Sequence, residues 1–338
     1  MTEPPHHAVP LAERPPDAAP GGAGGAGRDT TPGGPPLTAQ PVIPLRRPGR
    51  WIATVVVLVV LAQCAHGLVT NPFFQWHRFQ YWFARPVILD GLVVTLKVTA
   101  YSAVLGLLGG IVLALMRLSK SPVLQAVSWL YVWLFRSIPL IVLLLVLYNF
   151  GALYRTISVG VPFGPSFFSF SEANLATDMI IAVVGLSLNE AAFAAEVVRA
   201  GILSVDQGQH EAASALGLPK RYQFRRIVLP QALRTIVPSY VNQLIGLIKA
   251  TSLVYYVSLL DVFGSVETMG STYPGDIVPL LMVATVWYLI LTSIVSVAQY
   301  YVERFYARGA VRTLPPTPLQ RFRRSAAALR ARQLGTLR

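Results

Sequence analysis

Lys97, Arg136, Glu190 and Lys249 stand inside stretches of the chain that are otherwise almost free of charge. An ionisable group at mid-bilayer costs roughly 2.5–3.5 kcal/mol on insertion scales, so each needs a reason. Glu190 lies midway along its stretch, beside Asn189. One reading has it line a translocation path and attract a cationic group on a solute. The other pairs it with Lys97, Arg136 or Lys249 as a structural ion pair. Glu196 and Arg199 follow at i,i+3 near the end of the same stretch and read as a local ion pair.

A second cluster lies between two apolar stretches and runs from Ser204 through Pro219 to Pro230. Asp206 can cap a helix start, Glu211 to Leu216 is a short helix-forming run, Gly217 suits a left-handed C-terminal cap, and Pro219 forbids continuation. Ala212, Ala213 and Ser214 leave a flat surface that lets another backbone approach. An ordered connection of this length is functional, or it merely joins two spans. Motifs for chemistry on the chain itself are missing. There is no GxSxG, no HExxH and no cysteine nucleophile with a paired histidine. No Gly-Lys pair occurs, so no Walker A motif exists and the chain cannot be its own ATPase. The single cysteine, Cys64, rules out an internal disulfide, and no His/Cys cluster suggests zinc. No cofactor or metal is expected.

The elements that must hold these residues are read from composition. Of 338 residues, 54% are hydrophobic and 13% charged. A soluble protein carries about 25% charged residues, so much of this surface faces something other than water. Long apolar stretches at 51–70, 88–116, 123–151, 177–203, 234–260 and 277–302 predict six transmembrane helices. Their apolar character is continuous rather than alternating, which argues against a β-barrel. Placing both termini in the cytoplasm puts 22 Lys and Arg inside and three (Arg78, Arg85, Arg155) outside. The net charge of +13 is therefore a topology signal and a lipid-headgroup contact, not a nucleic-acid footprint. Residues 1–50 hold 12 Pro and 8 Gly, which predicts a disordered tail over 1–45. External loops are expected at 71–86, rich in Phe, Trp and Tyr, at 152–176 with a rigid turn at Pro162–Pro165, and at 262–276.

Glu211-Ala212-Ala213, Gly217 four residues on, and Ile227-x-Leu229-Pro230 after nine more resemble the EAA signature of ABC-importer permeases. The resemblance extends over roughly 88–305. Asn189 to Ile202, Gly91-x-x-x-Thr95-Leu96-Lys97-Val98-Thr99, Phe135-Arg136-Ser137-Ile138-Pro139-Leu140 and Lys249-Ala250-Thr251-Ser252-Leu253 are similar to the polar amino acid branch. Phe193 stands where that branch has Tyr, and Glu190 where it has a small or uncharged residue.

The resemblance implies an all-α, polytopic inner-membrane protein, with one extra helix ahead of a five-helix type I importer core. It divides the chain into a tail (1–45), an extra helix with its external loop (46–86), a permease domain (87–305) and a basic tail (306–338). In the family, the loop forms a coupling helix roughly parallel to the membrane that docks into a cleft on a separate ATPase subunit. Glu211 would be the charged anchor, Ala212 and Ala213 the close-contact face, and Gly217 the turn. Lys220, Arg221, Arg225 and Arg226 would hold the loop at anionic lipid. An extracytoplasmic amino-acid-binding protein delivers solute, and a second copy or a related permease completes the path. Glu190, Asn189, Lys97 and Lys249 are the expected path residues, with Glu190 favouring amino acids that carry a cationic side chain. A secondary transporter or channel working alone would show inverted repeats or paired carboxylates, and neither is present. A non-transporting membrane anchor is the third reading.

Overall fold

The computed structural model describes residues 48–150, 156–160, 166–171 and 177–307. The expected tail over 1–45, the turn at Pro162–Pro165 and the basic tail beyond 307 lie outside these residues. Two compact units divide the chain, Met1–Ala65 and His66–Arg338. In chain order, α1 is Pro48–Thr70, α2 Trp76–Phe83, α3 Pro86–Arg117, α4 Pro122–Ser137 and α5 Leu140–Tyr148. Strands β1 (Thr156–Gly160) and β2 (Ser166–Ser171) follow, then α6 (Asp178–Leu203), α7 (Gln207–Ala215) and α8 (Lys220–Gln223). A π-helical segment (Phe224–Val228) leads into α9 (Leu229–Ala250) and a 3-10 turn (Thr251–Val257). The described chain closes with α10 (Val262–Thr272) and α11 (Ile277–Ala307).

Among the described residues, four helices are long and apolar enough to cross a bilayer, and counting each of two bent helix pairs as one span brings the number to six. The six expected stretches map onto these, but not all as straight rods. The stretch 123–151 breaks at Ile138-Pro139 into α4 and α5, which meet at 99°. Proline lacks the N–H that would continue the helix and drives the residue before it into extended backbone. Ile138 accordingly has ψ 126°.

Expected loops also carry structure. Residues 71–86 contain α2, and 262–276 contain α10, which Asp261 starts by accepting a bond from Gly264 N at 2.8 Å. β1 and β2 pair antiparallel, Thr156 opposite Ser171, with an irregularity between Val159 and Gly160. This hairpin, built on Ile157, Val159, Phe167, Phe168 and Phe170, is a β addition to the otherwise helical body.

The body of the second unit is assembled by small residues, because lipid tails offer no hydrophobic drive between helices and close packing must supply it. Gly106 and Gly110 of α3 lie flat against α6. A side chain at Gly106 would begin 2.6 Å from Glu190 Cγ, and one at Gly110 would begin 2.9 Å from Ala195 N. On the far side of α6, a Cβ on Gly185 would sit 2.6 Å from Leu144 Cδ2 of α5. Around these contacts, Val98, Leu144, Leu186, Leu247, Val254 and Val257 form one buried cluster. A second joins Trp82, Ile88, Val262, Val266, Leu280 and Val283. A third, at the α7 end, joins Ala114, Val198, Val205, Val228, Ala232 and Ile236. Val104, Leu108, Leu289 and Ile294 point outward instead, as a bilayer-facing surface requires.

Candidate functional site

α7 is a helix whose ends are both closed by its own sequence. The Asp206 carboxylate accepts from Gly208 N at 2.7 Å. At the other end, Gly217 takes φ +68°. Its N–H donates to Ser214 O at 2.9 Å, and Leu218 N donates to Ala213 O at 3.2 Å. This double bond pattern with a left-handed residue stops the helix by local geometry alone. Pro219 follows, and Gln223 Nε2 braces the turn by donating to Leu218 O at 2.8 Å. No atom lies within 4 Å of where a Gly217 side chain would begin, so backbone conformation, not space, selects glycine.

Burial divides the expected docking residues. Glu211 and Ala212 are exposed, whereas Ala213 is buried within the chain. The expectation of a shared contact face is corrected here. At successive helical positions Ala212 and Ala213 point about 100° apart, so Ala213 seats α7 on its own protein and Ala212 faces outward. Leu216 is 77% exposed beside Gly217, a large apolar side chain that the sequence reading did not single out.

A concavity of about 440 Å³ lies between α5, α6 and α9. Asn189 and Glu190 line it from α6, Asn242, Gln243 and Lys249 from α9, and Leu140 from the start of α5. Three of the four expected path residues therefore meet in one place. Lys97 does not join them and is exposed on α3. Glu190 is 4% exposed, and among the described residues its Oε1 has no hydrogen-bond partner. Gln243 lies beside it. Among the described residues Glu190 forms no ion pair with Lys97, Arg136 or Lys249. Arg136 instead lies over the Phe193 ring at 5.0 Å, and Asn189 Nδ2 donates to Phe135 O at 3.0 Å. Each contact ties α4 to the cavity wall.

Sequence reasoning missed Asn242 and Gln243. Two adjacent carboxamides inside a membrane span were the available signal. The ion pair expected of Glu196 and Arg199 is present at 2.9 Å, and Arg117 of α3 adds a second contact to Glu196 at 3.5 Å.

The family described as binding-protein-dependent transport system inner membrane component matches residues 106–308. The match takes in α6, α7, α9 and both sites. The chain belongs to this family. It is a multi-pass membrane permease component, and the family is not itself enzymatic. This permease is 40% identical over 284 residues to the arginine transport system permease protein ArgU of Corynebacterium glutamicum, covering 82% of this chain and 87% of that one. It is 39% identical over 220 residues to the glutamate/aspartate import permease protein GltK of Escherichia coli O6:H1, covering 65% and 93%. Among solved structures, an amino acid ABC transporter with histidines matches at 29% identity and TM-score 0.55, over 65% of this permease and 94% of that chain.

Proposed function

We propose that this permease is the membrane subunit of an amino acid ABC importer, with residues 87–305 as its transporting body. α7 is the coupling helix, and it carries ATP-driven motion from a separate ATPase subunit to α6 and α9. The observation that carries this reading is α7 itself, a short helix closed at both ends that presents Glu211, Ala212 and Leu216 to a partner. Both termini are cytoplasmic, a reading that the Lys and Arg distribution supports. An extracytoplasmic binding protein delivers the amino acid, and a second permease completes the path.

The solute path passes Glu190, Asn189 and Lys249. Two opposite charges that share a cavity without pairing suit an amino acid, whose ammonium and carboxylate need opposite partners. Glu190 is buried with one oxygen unsatisfied, so a cationic group reaching it recovers the lost solvation. That favours solutes with a basic side chain, in line with the arginine system named for ArgU. Relatives named for other amino acids make the local carboxylate, rather than the family, the basis of this choice.

The test is reconstitution of this permease with its ATPase and binding protein in vesicles. ATP-dependent uptake of arginine, lost when Gly217→Val prevents the left-handed cap, is the expected result. Arginine uptake by the permease alone, without the ATPase, would overturn the reading.

A further inference from the structure

The chain that leaves α7 forms another concavity, of about 660 Å³, lined by Pro219, Arg221, Tyr222, Arg225 and Arg226. Positions 221 and 225, and 222 and 226, are i,i+4 pairs on adjacent helical rows, so the three arginines and the tyrosine share one face. All four are exposed. The opposite face is committed to packing, with Val228 and Ala232 buried against Val198, Val205 and Ala114. Like charges at this spacing repel unless an anion lies between them. None of the described residues supplies one, because the ion pairs present are Arg78–Asp276, Arg117–Glu196 and Arg199–Glu196. Asp206, the nearest aspartate in sequence, is occupied with Gly208 N.

The group that fits is a phosphate. Guanidinium forks match its oxygens two at a time, a phenol adds one more donor, and Pro219 gives the wall a fixed backbone. Position chooses the source. The cradle lies in the basic segment that precedes the apolar stretch starting at residue 234, where the charge pattern favours the headgroup region, and Tyr is a residue enriched at that interface. We infer that Arg221, Tyr222, Arg225 and Arg226 form a binding site for the phosphate of an anionic phospholipid, which holds the root of α7 at the membrane surface. The consequence for α7 rests on its role as coupling helix; the lipid site itself does not.

The experiment uses the complete importer in nanodiscs of phosphatidylglycerol or of phosphatidylcholine, with wild type, R225Q/R226Q and R225K/R226K compared. Native mass spectrometry reads phosphatidylglycerol retained after delipidation, and ATP hydrolysis stimulated by loaded binding protein reads coupling. Wild type is expected to retain the lipid and to lose at least about tenfold in stimulated hydrolysis in phosphatidylcholine. R225Q/R226Q should lose retention and be equally low in both lipids. R225K/R226K, which keeps charge without the fork, should fall between. Equal retention in wild type and R225Q/R226Q would overturn the site. Recovery of wild type in phosphatidylcholine discs by millimolar inorganic phosphate would assign the cradle to a soluble anion and overturn the lipid. Absence of stimulated hydrolysis in wild type in every lipid, with retention still arginine-dependent, would refute the coupling role and leave the lipid site standing.

Discussion

Helix α7 and the α5–α6–α9 cavity are both polar interruptions of an apolar chain, and they are built in opposite ways. α7 closes its hydrogen bonds between Asp206 and Leu218, using residues adjacent in sequence. The cavity draws on residues as distant as Leu140 and Lys249, and its walls exist only after three helices have packed. The first site depends on local conformation and the second on assembly. Substitutions should therefore divide sharply between the two.

The largest effect is expected at Gly110. Leucine there collides with Ala195 N of α6, which is backbone and cannot move aside. G110L should remove folded permease from the membrane, as read by detergent-solubilised yield, and normal yield would show that α3 and α6 can separate. Next in size is Gly217. A β-branched residue is strained at φ +68°, whereas asparagine tolerates it. G217V should lower uptake by more than about tenfold at normal membrane abundance, with G217N well above it. Equal activity of the two variants would detach the function of α7 from its cap.

Glu190→Gln tests the cavity by itself. Arginine uptake should fall about tenfold, the scale of one weakened charge-assisted bond, while stimulation of ATP hydrolysis by a neutral amino acid survives. Equal loss for all solutes would make Glu190 a structural residue. Adjacent alanines sharpen the contrast further. Ala213→Leu overpacks a buried position and should cost about 1–3 kcal/mol of stability in a thermal melt. Ala212→Leu should leave the melt unchanged and weaken co-purification of the ATPase. The smallest effect is expected for deletion of residues 2–44, whose composition offers no core; uptake should stay within about twofold. A transport-dead truncation that inserts normally would reveal a partner for that segment.

This division also explains what could be read from sequence. The caps at Asp206 and Gly217 were legible because turn chemistry is written in neighbouring residues. The apolar stretches were legible because a bilayer imposes length and composition on each span separately. The inward turn of Ala213 was not, since motif identity carries no information on which alanine faces the body. Nor was the failure of Glu190 to pair with a lysine. Lys97 and Lys249 were equally plausible partners by hydropathy, and only the packing of α3, α6 and α9 separates them. The 99° break at Pro139 hid inside a stretch that stays apolar on both sides of it apart from Arg136.

That break has a consequence for biogenesis. During synthesis, residues 122–148 are made and emerge ahead of Gly185. As a mainly apolar segment of that length, with Arg136 its one charge, they satisfy the length requirement for a full crossing. α5 alone, at nine residues, covers roughly 13 Å and spans less than half the hydrocarbon. Its bent position is held by Leu144 lodged against the bare backbone of Gly185. We expect the nascent segment to cross as one rod and to bend only when α6 arrives. In a chain truncated at residue 150, spin-label distances across Pro139 should then be those of a straight helix, and distances matching the 99° break would mean that the proline alone sets the turn. On this order of events the Leu140 wall of the α5–α6–α9 cavity is a late product of translation, completed by a helix that emerges after it.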